Sequence, residues 1–225
     1  MTFDFQHLKQ QLAQATQDAF LELLAAHRAE EFYSFALYSD EGAMTVCPAA
    51  NTLAHLATQP PEDQQYAKFE PAEWAYEMRG AAAQFDELSR QLRTHVLDEA
   101  LEEEEFEQFR RQLYATCVAV LDELRQQRFF DQAAGREVFL LFSVSDSDTP
   151  VAELAQLAKQ LNHNTYRDEY LAWLASWEAN HRKSQVASWV SGFPAALPAA
   201  PPAPYFGRPT QTRQALLRVP HYSAD

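Results

Sequence analysis

The sequence predicts an α+β domain, with a small, mainly antiparallel sheet covered by helices and a Pro-rich C-terminal extension. Three observations carry this prediction. Glu31 to Asn51 reads as two strands around a tight turn. Val138 to Val144 is an unbroken apolar run of strand length, which marks a buried strand. Most of the remaining chain to Lys183 repeats apolar residues at helical spacing, and beyond Lys183 the composition changes abruptly.

In chain order, Asp4 reads as the cap of a first helix whose apolar positions Phe5, Leu8, Leu12, Ala15, Ala19 and Leu23 carry it to about His27. Phe32 to Tyr38 forms the first strand of a hairpin spanning 32–47, and Asp40-Glu41-Gly42 supplies the turn chemistry. Ala43 to Cys47 returns, and Pro48, which has no N–H for the ladder, is expected to end the pairing. Asn51-Thr52 caps a short helix to about Ala57, and Gln59-Pro60-Pro61-Glu62-Asp63 is a loop. Tyr66 to Phe69 reads as a short third strand, Pro71 as a turn opener, and Trp74 to Tyr76 as a half-buried extended segment closed by Gly80.

A helix over Ala82 to Val96 presents Phe85, Leu88 and Leu92 on one face. Asp98 to Glu107 holds seven carboxylates and no base, and leads into a long helix with Phe106, Phe109, Leu113, Cys117, Val120 and Leu124 inward. Acids at that end complement the positive end of the helix dipole. Gly135 breaks the chain before the strand 138–144. Asp146 to Thr149 then turns into a helix with Pro150 at its first position, capped by Asp148 or Thr149, with Val151, Leu154, Leu157 and Leu161 inward. A last helix, about Tyr166 to His181, carries Tyr170, Trp173, Leu174 and Trp177.

The domain organisation follows from this pattern: a body over 1–183 and an extension over 184–225. Seven of the twelve prolines lie in the extension, and Leu197 to Pro204 favours polyproline II. Trp189, Phe193, Tyr205 and Phe206 predict that it docks in part on the body. Three of the eighteen basic residues and one of the thirty-two acids fall in the extension, which leaves the body at −16 and the extension at +2.

A net charge of −14 repels nucleic acid and anionic membrane and favours basic partners. No signal core and no membrane-length apolar run occurs, so a cytoplasmic location is expected. Cys47 and Cys117 are too few for a disulfide framework and read as small hydrophobes. The seven histidines show no short ligand spacing, and the five glycines, each in a turn or in the extension, leave none for a phosphate-cradling loop. No cofactor is expected.

Two places carry candidate chemistry. Asp146 and Asp148, beyond the end of a strand, are the candidate divalent-metal ligands, as in a metal-dependent hydrolase or phosphotransferase. The haloacid-dehalogenase pattern places one residue between the second Asp and Thr; here Thr149 follows Asp148 directly. Glu73 and Glu77 flank Trp74 and Tyr76, and a carboxylate beside an aromatic is a candidate acid. No residue is assigned as catalytic. Glu102, Glu103, Glu104 and Glu105 are the candidate surface for a basic partner, by electrostatic steering.

Four stretches recur in the order of a known family: Phe32 to Asp40, Thr45 to Thr52, Pro71 to Glu77 and Leu141 to Asp148. Over roughly Phe5 to Leu161 the chain resembles a family of uncharacterised bacterial proteins known as domain of unknown function 4303. The resemblance implies no activity. It directs attention to Asn51, Glu73, Trp74, Tyr76, Asp146 and Asp148 as a shared site or a shared turn, and by analogy in size and acidity it implies an immunity-type role. The leading expectation is a non-enzymatic cytoplasmic binding protein that neutralises a basic toxin or effector. The rivals are a metal enzyme using Asp146 and Asp148, with Glu73 as a further candidate, and a scaffold that offers its Pro-rich extension to another domain.

Overall fold

The structure is a computed structural model, and it describes residues 3–145 and 148–177. The elements run α1 (Phe5–Ala26), β1 (Phe32–Asp40), β2 (Val46–Thr52), α2 (Leu53–Leu56), α3 (Gln64–Phe69), a 3-10 turn (Pro71–Glu73), β3 (Tyr76–Glu77), α4 (Ala82–Val96), α5 (Glu103–Gln126), α6 (Phe129–Ala134), β4 (Phe139–Ser145), α7 (Val151–Leu161) and α8 (165–177). The sheet order is β3-β2-β1-β4, with β1 antiparallel to β2, β2 antiparallel to β3, and β1 parallel to β4. The α+β class and the mainly antiparallel sheet are as the sequence predicts.

Helices cover both faces of the sheet. Phe35, Leu37, Ala50, Leu140 and Phe142 face a first core built with α1, α4, α5 and α6. Ala36, Ala49, Phe139 and Leu141 face a second, smaller core with Phe69 of α3, Trp74, Ala158 of α7, and Tyr170, Trp173 and Leu174 of α8. The period-2 alternation of strand side chains explains the division, and burial on both faces explains why β1 and β4 read as continuous apolar runs.

Local chemistry sets the elements. The Asp4 carboxylate accepts the His7 N–H at 2.9 Å and caps α1, whose stripe Leu8, Leu12, Ala15, Ala19 and Leu23 is buried. In the hairpin loop Asp40 accepts from the Thr45 N–H (2.7 Å) and hydroxyl (2.6 Å) and from the Met44 N–H (3.1 Å). Thr52 caps α2 through the His55 N–H at 3.3 Å. Gly80 (φ +89°) lies so close to α1 that a Cβ there would sit 2.7 Å from the Ala19 carbonyl oxygen.

Three expectations are corrected. Pro48 does not end the hairpin: it pairs with Leu37 in the middle of β2, and the pairing runs on to Thr52. Its carbonyl accepts from the Met78 N–H at 2.9 Å. A strand residue directs both peptide groups the same way, so the missing N–H points to the short β3 side and costs the β1 ladder nothing. Tyr66 to Phe69 is helix rather than strand, because its apolar positions serve one helix face on the second core. Pro150 stands one residue before α7, at its cap position, rather than at its first helical position. The extension 184–225, with the predicted docking of its aromatics, lies outside the described residues.

Candidate functional site

The sheet end at Phe32 and Thr52 collects most of the motif residues singled out by sequence. Asn51, fully buried on β2, bonds in four directions. Its amide donates to the Tyr33 hydroxyl (3.1 Å) and to the Ala67 carbonyl of α3 (3.4 Å); its oxygen accepts the N–H groups of Thr52 (2.9 Å) and Ala75 (3.3 Å). The Tyr33 hydroxyl donates in turn to the Lys68 carbonyl at 3.0 Å. A register shift between Phe32 and Ser34 makes Tyr33 an extra residue in β1 and allows its ring to reach this network.

Glu30, on the turn before β1, forms a second hub. Its carboxylate accepts the Tyr76 hydroxyl at 2.6 Å and the Thr52 hydroxyl at 2.8 Å, and His27 Nδ1 lies 3.5 Å away. The Tyr76 hydrogen bond is the main cause that holds Glu30 below the ordinary carboxylate range; burial opposes it, and the Thr52 hydroxyl and the charges of His27 and His55 assist. Burial first, then the Glu30 carboxylate, pushes the Tyr76 phenol up to about 12. Near neutrality the one stays ionised and the other protonated. The pair is a fixed charge-assisted hydrogen bond, not an acid–base couple.

The Glu73 side chain is exposed, and its carbonyl lies 3.2 Å from His55 Nε2. Trp74 is buried in the second core, with its indole N–H unpartnered among the described residues. Nearby Glu70 is pushed up to about 7, by burial first and then by the neighbouring carboxylates of Glu73 and Glu77. Glu77 itself accepts the Tyr38 hydroxyl at 3.0 Å.

The structure therefore brings together Asn51, Glu73, Trp74 and Tyr76, and leaves Asp148 apart. Asn51 pairs opposite Ser34, whereas β4 leaves the sheet with Ser145 opposite Asp40, six residues further along β1. At about 3.3 Å per residue that is about 20 Å. Asp148 is exposed just beyond this far end, and Asp146 lies outside the described residues. Among the described residues no group of three or more His, Cys, Asp or Glu side chains is placed to hold a metal ion. Glu102 to Glu105 are exposed at the start of α5, where the Glu102 N–H donates back to the Glu105 carboxylate at 3.3 Å. None of the four takes part in an ion pair among the described residues. Cys47 and Cys117 are buried and reduced, and burial pushes the Cys47 thiol up to about 11.

Sequence reasoning missed Glu30, His27, Tyr33 and Glu70. Glu30 and His27 lie in a polar turn with no periodicity, and only the fold sets them against Tyr76. No described helix is long and apolar enough to cross a membrane.

Comparison with known proteins adds one finding. No curated protein and no solved structure matched the chain. Residues 12–163, more than half of the chain and running from within α1 to just past α7, match the model of the family described as "Domain of unknown function (DUF4303)". The chain thus belongs to the DUF4303 family.

Proposed function

We propose that this chain is a binding protein for a basic protein partner, most concretely an immunity-type protein that neutralises a basic toxin or effector by direct contact in the cytoplasm. The observation that carries the reading is the first turn of α5. There four consecutive glutamates, Glu102 to Glu105, are exposed, and among the described residues none of them takes part in an ion pair. They sit on a chain of net charge −14. Such a surface accelerates encounter with a basic partner and repels an acidic one. The motif residues Asn51 and Tyr76 add support from the other side, because Asn51 bonds the Tyr33 hydroxyl and backbone groups, and Tyr76 bonds the Glu30 carboxylate, as structural ties do.

The test is capture from the lysate of the native host at low and at moderate salt. One stoichiometric basic protein is expected, held more tightly at low salt and released when Glu102 to Glu105 are all replaced by lysine. If nothing basic is captured at either salt, or if the reversed variant captures the same protein equally well, the reading fails.

A further inference from the structure

Among the described residues the strand β4 forms one edge of the sheet, and its sequence is the kind that makes an edge hazardous. Val138-Phe-Leu-Leu-Phe-Ser-Val144 is rich in β-formers, uncharged, and free of Pro and Gly, the signature of a segment that pairs with copies of itself. In the structure the first half of this edge already has partners, and they are side chains. The Asn162 oxygen accepts the Leu140 N–H at 2.7 Å, and the Asn162 amide donates to the Leu140 carbonyl at 2.7 Å. One step back along the edge, the Val138 N–H donates to the Asp131 carboxylate at 3.0 Å and the Val138 carbonyl accepts from the Asn164 amide at 3.2 Å. Leu140 and Val138, two residues apart, are the residues whose peptide groups turn away from β1.

A primary amide that both donates to and accepts from one residue reproduces what a neighbouring strand would offer. We propose that Asn162, Asn164 and Asp131 form a side-chain clamp that stands in for a fifth strand and keeps β4 from pairing edge to edge with β4 of a second copy of this chain. The three residues come from α6 and from the link between α7 and α8, so the elements on either side of the edge close it together. Asn162 also donates to the Ala158 carbonyl at 3.2 Å, and therefore ends α7 as well. A plain helix-terminating role would account for that bond but not for the paired bonds to Leu140.

The test uses the full chain and the variant Asn162→Ala, compared by light scattering over a range of concentrations and by amide hydrogen exchange. The variant is expected to form dimers or larger species at concentrations where the native chain does not. At concentrations where the variant is still monomeric, its Leu140 amide should exchange on the order of tenfold faster, the loss of one net hydrogen bond, while Leu141, turned toward β1, keeps its protection. Adding Ser145→Lys, an exposed position at the end of the strand, should suppress the association, since a charged lysine on an edge strand disfavours pairing with another edge. A folded Asn162→Ala that associates no more than the native chain overturns the proposal; so does association that the added lysine leaves unchanged. Should Asn162→Ala fail to fold, Asn164→Ala frees the Val138 carbonyl and, in the first turn of α8, the Arg167 N–H, and is expected to associate more weakly but still above the native chain; equality with the native chain overturns the proposal there too.

Discussion

Replacing Asn51 by alanine is the most direct test of the network at the Thr52 end of the sheet. The residue is fully buried, so water does not substitute for the lost amide. The Thr52 and Ala75 N–H groups lose their acceptor, while the Tyr33 hydroxyl keeps the Lys68 carbonyl. A buried group left without a partner costs about 1–3 kcal/mol, so two such donors, one of them held at only 3.3 Å, give a loss on the order of 3 kcal/mol. With a urea m-value of about 2 kcal/mol/M for a domain of this size, the unfolding midpoint should fall by about 1.5 M. Equilibrium urea unfolding followed by tryptophan fluorescence reads this, since Trp74 and Trp173 are buried in the second core. A fall of less than about 0.3 M would refute the structural reading of Asn51 and return it to the list of residues exposed to selection by a ligand. Asn51→Asp sharpens the test. It keeps both accepting bonds but sets a buried carboxylate facing the Ala67 carbonyl, so its destabilisation should grow as pH rises through the raised pKa of that group.

Two further outcomes follow from named geometry. Glu70 is pushed up to about 7 in the folded chain against an ordinary 4.5, so the folded state holds the extra proton between these values and stability falls as pH rises through that window. Glu70→Gln should therefore stabilise the protein by on the order of 2 kcal/mol at pH 8, after discounting for partial exposure, and change little at pH 4; equal effects at both pH values in urea melts would contradict the assignment. Gly80→Ala combines a positive φ with a backbone contact at 2.7 Å to Ala19, and should cost about 2–4 kcal/mol; a thermal midpoint within a degree of the native one would show that the α1 contact yields easily.

Much of the fold was legible because it follows periodicity. The helices α1, α4, α5 and α7 announce themselves through apolar residues at three- and four-residue spacing, and β4 through a run too short and too β-branched or aromatic for a helix. What escaped depends on tertiary placement. Pro48 is tolerated inside β2 only because its neighbour on that side is a two-residue strand, which no local rule anticipates. Tyr66 to Phe69 has strand-forming residues at its ends, yet Tyr66 and Phe69 are wanted on the second core and Lys68 on Glu169, and a helical turn delivers both. The site divides in the same way. Asn51, Trp74 and Tyr76 stood out through their motifs, but their partners Glu30 and Tyr33 became visible only once a bulge and a turn brought distant segments together.

The two cores also bear on where this domain ends. The family match stops at residue 163, just short of α8. Yet α8 supplies the rings that close the second face: Tyr170 lies 5.2 Å from Phe69 and 5.4 Å from Phe139, and Trp173 lies 5.5 Å from Phe69, centroid to centroid. Each buried aromatic of this kind contributes about 2–3 kcal/mol of apolar burial, comparable with a sizeable fraction of a domain's net stability. Without α8, Phe69 and Phe139 would face water together with the small residues Ala36 and Ala49 beneath them. The physical unit therefore extends at least through Trp177, and the DUF4303 span is the part of it that carries the sheet and most of the first core rather than the whole folding unit.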